Sequence, residues 1–241
     1  MKKAYLNWSS GKDSALALYK LQQQKEYSVE KLVTTVNTDV DRVSMHGLRN
    51  ELLFQQAQNM GLPLQVIALN GDVSMQEYNA TMQKATESLL QEGFRYSIFG
   101  DIFLEDLRNY REEQLEKVGL KGIYPLWKKD TSELIQEFLE LNFKAIVVCV
   151  NSKVLDKSFC GRVIDQAFLD DLPEGVDPCG ENGEFHTFVF DGPVFENPVA
   201  FEMGEKVERT YSPKKNKEDN CFSDEPQTWD SKFWYCDLLP K

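Results

Sequence analysis

From residue 3 to residue 150, short apolar runs take turns with helical periods, and no other feature limits the fold as strongly. "KAYLNW" (3–8) reads as a strand, and Ala15, Leu18 and Tyr19 behind it fall at i, i+3 and i+4, the start of a helix. The β-branched run "KLVTTVN" (31–37) precedes a helix over 47–60 with Leu53, Ala57 and Met60 on one face. Next come "LQVIAL" (64–69), a helix over 75–91, "YSIFG" (96–100) and a helix over 105–118 that turns Leu107, Tyr110, Leu115 and Val118 inward. A short "GIYPL" strand leads to Asp130 and Glu133, spaced as a capping box for a helix through Leu141, and "FKAIVVCV" closes the series as a fully buried strand. This alternation predicts an α/β fold, a doubly wound parallel sheet covered on both faces. Ligands of such sheets sit outside the carboxyl ends of the strands, which directs attention to the first strand-to-helix turn.

Past residue 172 the pattern changes. Gly, Pro and acidic residues fill "LPEGVDPCGENGEFHTF", then "FVFDGPVF" and "NPVAFEMGEKVERTY" read as strands of a small C-terminal β-rich region. Residues 212–232 read as a polar loop, whereas "KFWYCDLL" is too aromatic to be left in solvent and is expected to pack back on the body. The expected division is therefore an α/β body over 1–150 and a smaller region over 151–241. A chain of 241 residues, 41% apolar, can bury one large core plus such an appendage. Its net charge of −12, with basic residues collected only in "SPKKNK", disfavours a long nucleic acid as partner. The longest apolar run, "AIVVCV", falls far short of the ~20 residues of a membrane-spanning helix. "MKKAYL" lacks the apolar segment of a signal peptide, so a cytoplasmic location is the default. The five cysteines contain no C-x-x-C pair and are expected to be reduced.

The opening turn, "SSGKDS" at 9–14, is rich in groups that bind phosphate. Backbone N–H groups at a helix N-terminus converge there with the positive end of the helix dipole. Ser9, Ser10 and Ser14 add hydroxyls, Gly11 permits a tight backbone, and Lys12 supplies a cation. The spacing fits neither a Walker A loop nor the G-x-G-x-x-G dinucleotide fingerprint. The competing reading is a Ser/Asp helix cap.

"SSGKDS" resembles the S-G-G-x-D-S pyrophosphate loop (PP-loop) of the N-type ATP pyrophosphatases, with Ser10 in place of the first glycine. "FGDIFLEDLRNYREEQLEKVGLKGIYPLW", "LDKSFCGRVID" and "CGENGEFHTFVFDGPVF" look like successive signatures of the diphthine–ammonia ligase family, so the resemblance spans residues 5–195. It implies an adenine nucleotide α-hydrolase-like, Rossmann-like fold with an ATP-binding body and a substrate-side C-terminal region. It also implies an ATP-dependent amide ligase. A carboxylate would attack the α-phosphate of ATP, releasing pyrophosphate, and ammonia would then displace AMP. Implied with it are ATP, Mg²⁺, ammonia and a carboxylate acceptor, either a modified protein side chain or a small metabolite, while a homo-oligomer is left open. Two other readings are carried: a tRNA-modifying PP-loop enzyme and a non-catalytic ATP-binding sensor.

The resemblance assigns Ser9, Ser10, Gly11, Lys12, Asp13 and Ser14 to the phosphates, with Asp13 either orienting Lys12 or reaching metal. Trp8, Asn37 and Gly100 are placed at the nucleotide, and Asp101 at metal or a substrate amine, against a helix-initiating role. Glu112, Trp127, Asp130, Arg162 and Asp165 match signature positions and are expected on the substrate side. Capping competes for Asp130, an i, i+4 pair with Arg108 for Glu112, and a surface salt bridge for Arg162 and Asp165. Glu181 and Glu184 would select an amine or ammonia or act as general base, against a plain acidic turn. His186 stands where the family pattern more often has glutamate, Asn182 where it has glycine, and Tyr110 where it has arginine. His46 is read as substrate-side or as a hydrogen-bonded residue at a helix start, and Cys179 as structural.

Overall fold

The computed structural model describes residues 1–39, 42–43, 47–70, 73–211 and 231–241, so His46, Cys221 and nearly all of the loop expected over 212–232 lie outside the described residues. Strands β1 (Lys2–Asn7), β2 (Tyr27–Asn37), β4 (Leu64–Leu69), β5 (Tyr96–Ile98) and β6 (Lys121–Ile123) pair in parallel in the order β4-β2-β1-β5-β6. A two-residue strand, β3 (Arg42–Val43), returns antiparallel against the end of β2. Strand order reverses at β1, which opens a crevice between the carboxyl ends of β1 and β5.

Period-two alternation divides the side chains between two cores. Ala4, Leu6, Leu32 and Ile98 face Leu16 and Leu18 of α1 (Lys12–Gln24) and Leu52 and Leu53 of α2 (Asn50–Asn59). Tyr5, Val33 and Ile67 face the other way, onto Leu89 of α3 (Met75–Gln91) and Leu115 of α4 (Glu105–Lys117). The sheet is thus covered on both faces, as the alternation predicts. Ser74 caps α3 in a reciprocal box with Glu77, and Asp130 caps α5 (Thr131–Glu140) by accepting from Glu133 N at 3.0 Å, each such cap stabilising by about 1 kcal/mol.

The helix–strand alternation runs on in sequence through α5 into β7 (Lys144–Asn151), but the pairing changes there. β7 joins β8 (Phe185–Asp191), β9 (Phe201–Tyr211) and β10 (Ser231–Pro240) in an antiparallel sheet of order β8-β7-β10-β9. A strand buried on both faces carries no sign of which neighbours it will find, so the periodicity could not place β7. The aromatic C-terminal segment packs back as expected, and as β10 it lies between β7 and β9. Ala145, Ile146, Val147, Val148, Val150, Phe188 and Val189 share one apolar core with α1 and the parallel sheet, so α1 lies between the two sheets. Among the described residues no helix is long and apolar enough to cross a membrane.

A charge cluster holds the sheets together at one edge. Asp237 of β10 accepts from Arg42 Nη1 at 2.7 Å and from Arg49 Nη2 at 2.6 Å. Burial alone would raise the carboxyl pKa, but the two guanidinium hydrogen bonds outweigh it and hold Asp237 down at about 2. Its stabilising contribution is therefore full above the ordinary carboxylate range and drains away as pH falls toward 2. Asp237→Ala is expected to cost about 1–2 kcal/mol at neutral pH, an amount reduced by its partial exposure. Urea denaturation should show the gap between variant and parent closing as pH is lowered from neutral into the acid range.

Candidate functional site

The turn joining β1 to α1 sits at the crevice. Asn7, the last residue of β1, crosses to β5 and donates to Ser97 Oγ and the Ile98 carbonyl, both at 2.8 Å. Ser10 adopts the left-handed region at φ 68°, where a side chain costs energy and glycine does not, which accounts for the glycine at this place in the resembled pattern. Its carbonyl accepts from Val189 N at 3.0 Å and Gln56 Nε2 at 3.1 Å, tying the turn to β8 and α2. Gly11 is the N-cap of α1 and places no side chain over the first turn. Ser9 Oγ lies 3.1 Å from Ser14 Oγ and 3.3 Å from Gly11 N, so the turn's own hydroxyls surround its backbone donors. Gly100 presses against this turn from β5. A Cβ there would stand 2.9 Å from both Asp13 C and Ser14 N.

Lys12 turns back into the protein. Its ammonium, 4% exposed, donates to both Asp13 carboxylate oxygens at 2.8 Å and to the carbonyl of Cys179. Desolvation alone would lower its pKa, but Asp13, then Cys179 and Glu181, raise it on balance, so Lys12 stays protonated. Lys12 N donates to Thr187 Oγ1 of β8 at 3.1 Å. The loop before β8 is organised by Asp177, whose Oδ1 accepts from Cys179 N at 2.8 Å and Glu181 N at 3.2 Å. Glu181 Oε1 reaches across to the turn after β5 and accepts from Ile102 N at 2.8 Å and Phe103 N at 3.3 Å. Glu184 is buried; Oε1 accepts from Asp177 N and Asn182 Nδ2, both at 3.1 Å, while Oε2 is buried without a hydrogen-bond partner.

Burial, reinforced by the charge of Asp13, pushes the Glu181 carboxyl up to about 7. The folded state therefore favours its protonated form, and the stability this confers is whole in acid and lost as pH rises through 7. The parent chain is expected to lose about 2–3 kcal/mol between acid and mildly alkaline pH through this residue. Glu181→Gln keeps a carbonyl oxygen for the two N–H donors and removes the titration. Urea midpoints across that range should fall less steeply in the variant, and parallel slopes would mean that Glu181 does not titrate with folding.

Several residues expected at a ligand make contacts within the protein. Trp8 is 1% exposed and its Nε1 donates to Gln56 Oε1 at 2.9 Å, so its ring belongs to the core and offers no face to a nucleotide. Asn37 Oδ1 accepts from Asp39 N at 2.9 Å and shapes the turn after β2. Asp13 accepts from Lys12 Nζ with both carboxylate oxygens, at 2.8 Å each, the orienting role weighed for it. Asp101 pairs with Arg111, and Glu112 with Arg108 Nε at 2.8 Å, beside Trp127. Asp130 caps α5, and Asp165 caps α6 (Gln166–Asp170) by accepting from Phe168 N at 2.8 Å. Arg162 pairs at 2.9 Å with Asp171 instead of Asp165, with its guanidinium near the Phe159 and Phe168 rings. Burial and nearby Lys12 lower His186 to about 4, leaving a neutral imidazole on β8. Cys179 is buried and its thiol pushed up to about 12, in keeping with a structural role.

Three supports were not foreseen: Gln56, Thr187 and Asp177. Gln56 left one signal, a polar residue between Leu53 and Ala57 on the apolar face of α2. It is fully buried and bonds Trp8, Ser10 and Val189 at once.

Residues 1–122 match the family described as the diphthamide synthase N-terminal domain, and residues 130–215 the diphthamide synthase C-terminal domain. The chain is similar to a diphthine--ammonia ligase of Bos taurus, 32% identical over 110 residues, which cover 43% of this chain and 41% of that protein. To the diphthine--ammonia ligase of Danio rerio it is 28% identical over 169 residues, 63% of this chain and 65% of that one. The similarity thus spans less than two thirds of either relative. Among solved structures, a predicted subunit of a tRNA methyltransferase from Methanocaldococcus jannaschii overlaps 65% of this chain and 81% of its own at 19% identity and a TM-score of 0.39, too loosely to carry an argument.

Proposed function

The chain belongs to the diphthamide synthase family, and from that premise we propose that it is an amide ligase that consumes ATP and ammonia and forms AMP and pyrophosphate. The observation that carries the reading is the turn at 9–14, where a helix N-terminus with glycine at its N-cap, two facing serine hydroxyls and the close approach of Gly100 meet, a set of groups that suits an oxyanion. Such a cradle fits the phosphates of ATP. When bound, ATP supplies a phosphorus that a carboxylate oxygen attacks as the bond to pyrophosphate breaks; ammonia then attacks the acyl carbon, AMP departs with that oxygen, and the new nitrogen gives up a proton.

The chain's own residues would act in three ways. Gly11 N and Lys12 N, bonded here to Ser9 Oγ and Thr187 Oγ1, would together with Ser9 and Ser14 turn their donors to the charge that gathers on the departing phosphates. Lys12, kept charged by Asp13 and tied to Cys179, would fix the second loop against the first and add positive potential beneath the phosphates. Glu181, poised near 7, would take up the proton released by the attacking nitrogen, a task for which a carboxyl at its ordinary value is too weak a base. Mg²⁺ would come with the nucleotide, its phosphates supplying most of the oxygen ligands and Asp13 at most one more. The acceptor is proposed to be a carboxylate on a modified protein side chain or a small metabolite. An α/β body and a smaller substrate-side region remain the proposed domains, with β7, which ends the stretch 1–150 in sequence, pairing in the sheet of the second.

The test is to incubate the protein with Mg-ATP, ammonium and fractionated lysate and to separate AMP from ADP. Fraction-dependent AMP and pyrophosphate, with labelled nitrogen entering the product, is the expected result. ADP and phosphate, or ATP bound and left intact, would overturn the ligase reading.

A further inference from the structure

Away from this site, one edge of the second sheet is open. In the order β8-β7-β10-β9 the last strand has a neighbour on one side only among the described residues, and Glu205 to Thr210 are exposed one after another along it. An edge of this length is a template for another strand unless its side chains prevent the pairing. Here they are charged, in the order Glu205, Lys206, Val207, Glu208, Arg209. The signs reverse about Val207.

The backbone of β9 limits the pairings open to it. Ser152 N donates to the Lys232 carbonyl at 2.9 Å, so Lys232 turns its polar groups toward β7, and the alternation of an antiparallel ladder turns those of Phe233 and Tyr235 toward β9. Arg209 and Val207 stand opposite these two and turn theirs inward to meet them. Lys206, Glu208 and Thr210 are left with N–H and C=O groups directed away from the sheet. When such a strand pairs antiparallel with its own copy, the twofold axis passes between the two copies of one residue, which then faces itself. Placed on Glu205, Lys206, Glu208 or Arg209, the axis would set a charge against an equal one. Placed on Val207, it sets Lys206 opposite Glu208 and Glu205 opposite Arg209, each pair formed twice, and joins the outward backbone groups of Lys206 and Glu208 as a hydrogen-bonded pair. A bulge opposite Asp237, between Met203 and Lys206, ends the straight run on one side.

We propose that β9 pairs with β9 of a second copy about Val207, joining the two C-terminal sheets into one. The charges identify the occupant, because the strand's own copy reverses their order residue for residue and leaves no like pair. A single edge strand covers less than the about 800 Å² per partner of a standard interface, so the dissociation constant is expected on the order of 10–100 µM. The inference does not depend on the ligase reading.

Sedimentation velocity of the full chain, from about 1 to about 500 µM, is expected to show a reversible monomer–dimer equilibrium. Lys206→Glu and Glu208→Lys should each weaken the dimer at least about tenfold, because each sets like charges opposite one another at two places. An equimolar mixture of the two variants should associate nearly as well as the parent. In the mixed pair, positions 206 and 208 are again opposite in sign wherever they meet, and misfolding of either variant would not be mended by mixing. A parent that stays monomeric throughout, a dimer indifferent to both substitutions, or a mixture no better than its components would each overturn the proposal. Protection of the β9 amides from deuterium exchange in the monomer would assign the edge to another segment of this chain and would overturn it equally.

Discussion

Lys12→Met is expected to be the most damaging single substitution at this site, lowering AMP formation by about 10²–10³-fold and stability by roughly 3 kcal/mol. The reason is the company Lys12 keeps. Its ammonium holds both oxygens of Asp13 and the carbonyl of Cys179, a residue 167 positions away in sequence, and its removal leaves a carboxylate and a carbonyl facing each other without a donor. The stability loss lies at the low end of the range for broken buried pairs, because the Asp13 side chain is 29% exposed and keeps some water. A double substitution separates the two effects. Lys12→Met with Asp13→Asn removes the uncompensated charge and should regain most of the stability, but not the AMP formation, since the potential beneath the phosphates is still missing. Denaturant midpoints and AMP release measured on the parent and the two variants decide the matter: recovery of both would make Lys12 a structural residue only.

Gly100→Ala is expected to come second, at about 1–3 kcal/mol and a loss of about 10²-fold in AMP formation. An added methyl would meet Asp13 C and Ser14 N at 2.9 Å and Asp13 O at 3.1 Å, all backbone atoms of the first turn of α1 that cannot rotate away. Either the segment after β5 or the turn at 9–14 must move by several tenths of an ångström. The donors of that turn are useful only where they are, so a small shift should cost more in rate than in stability. A crystal structure of the variant with α1 unmoved, together with unaltered kinetics, would show that the contact yields.

Much of this was legible in the chain. Strands and helices followed from local periods, since a side chain's face depends only on residues two, three or four positions away. The same locality made Asp130 readable as a cap, its partner Glu133 being three residues on. The motifs themselves singled out the turn at 9–14 and the loop at 179–187 as the expected chemical centres, and the fold brings the two together through Lys12 and Cys179. Individual roles were less readable. Trp8 and Asn37 stand next to the turn in sequence or on a neighbouring strand end, yet one is consumed by Gln56 and the other by its own turn.

What the sequence determined by itself is the alternation, the caps, and the presence of a small, hydroxyl-rich turn at a helix start, because each is written in neighbouring residues and enforced by backbone geometry. What only the tertiary structure decided is partnership at long range. β7 left the parallel sheet for β8 and β10, Lys12 turned inward to Cys179, Gly100 closed on α1, and Arg108 settled between Tyr124 and Trp127. Each of these contacts joins separate elements of the fold, and its energy depends on where those elements come to rest, which no local pattern of residue types records.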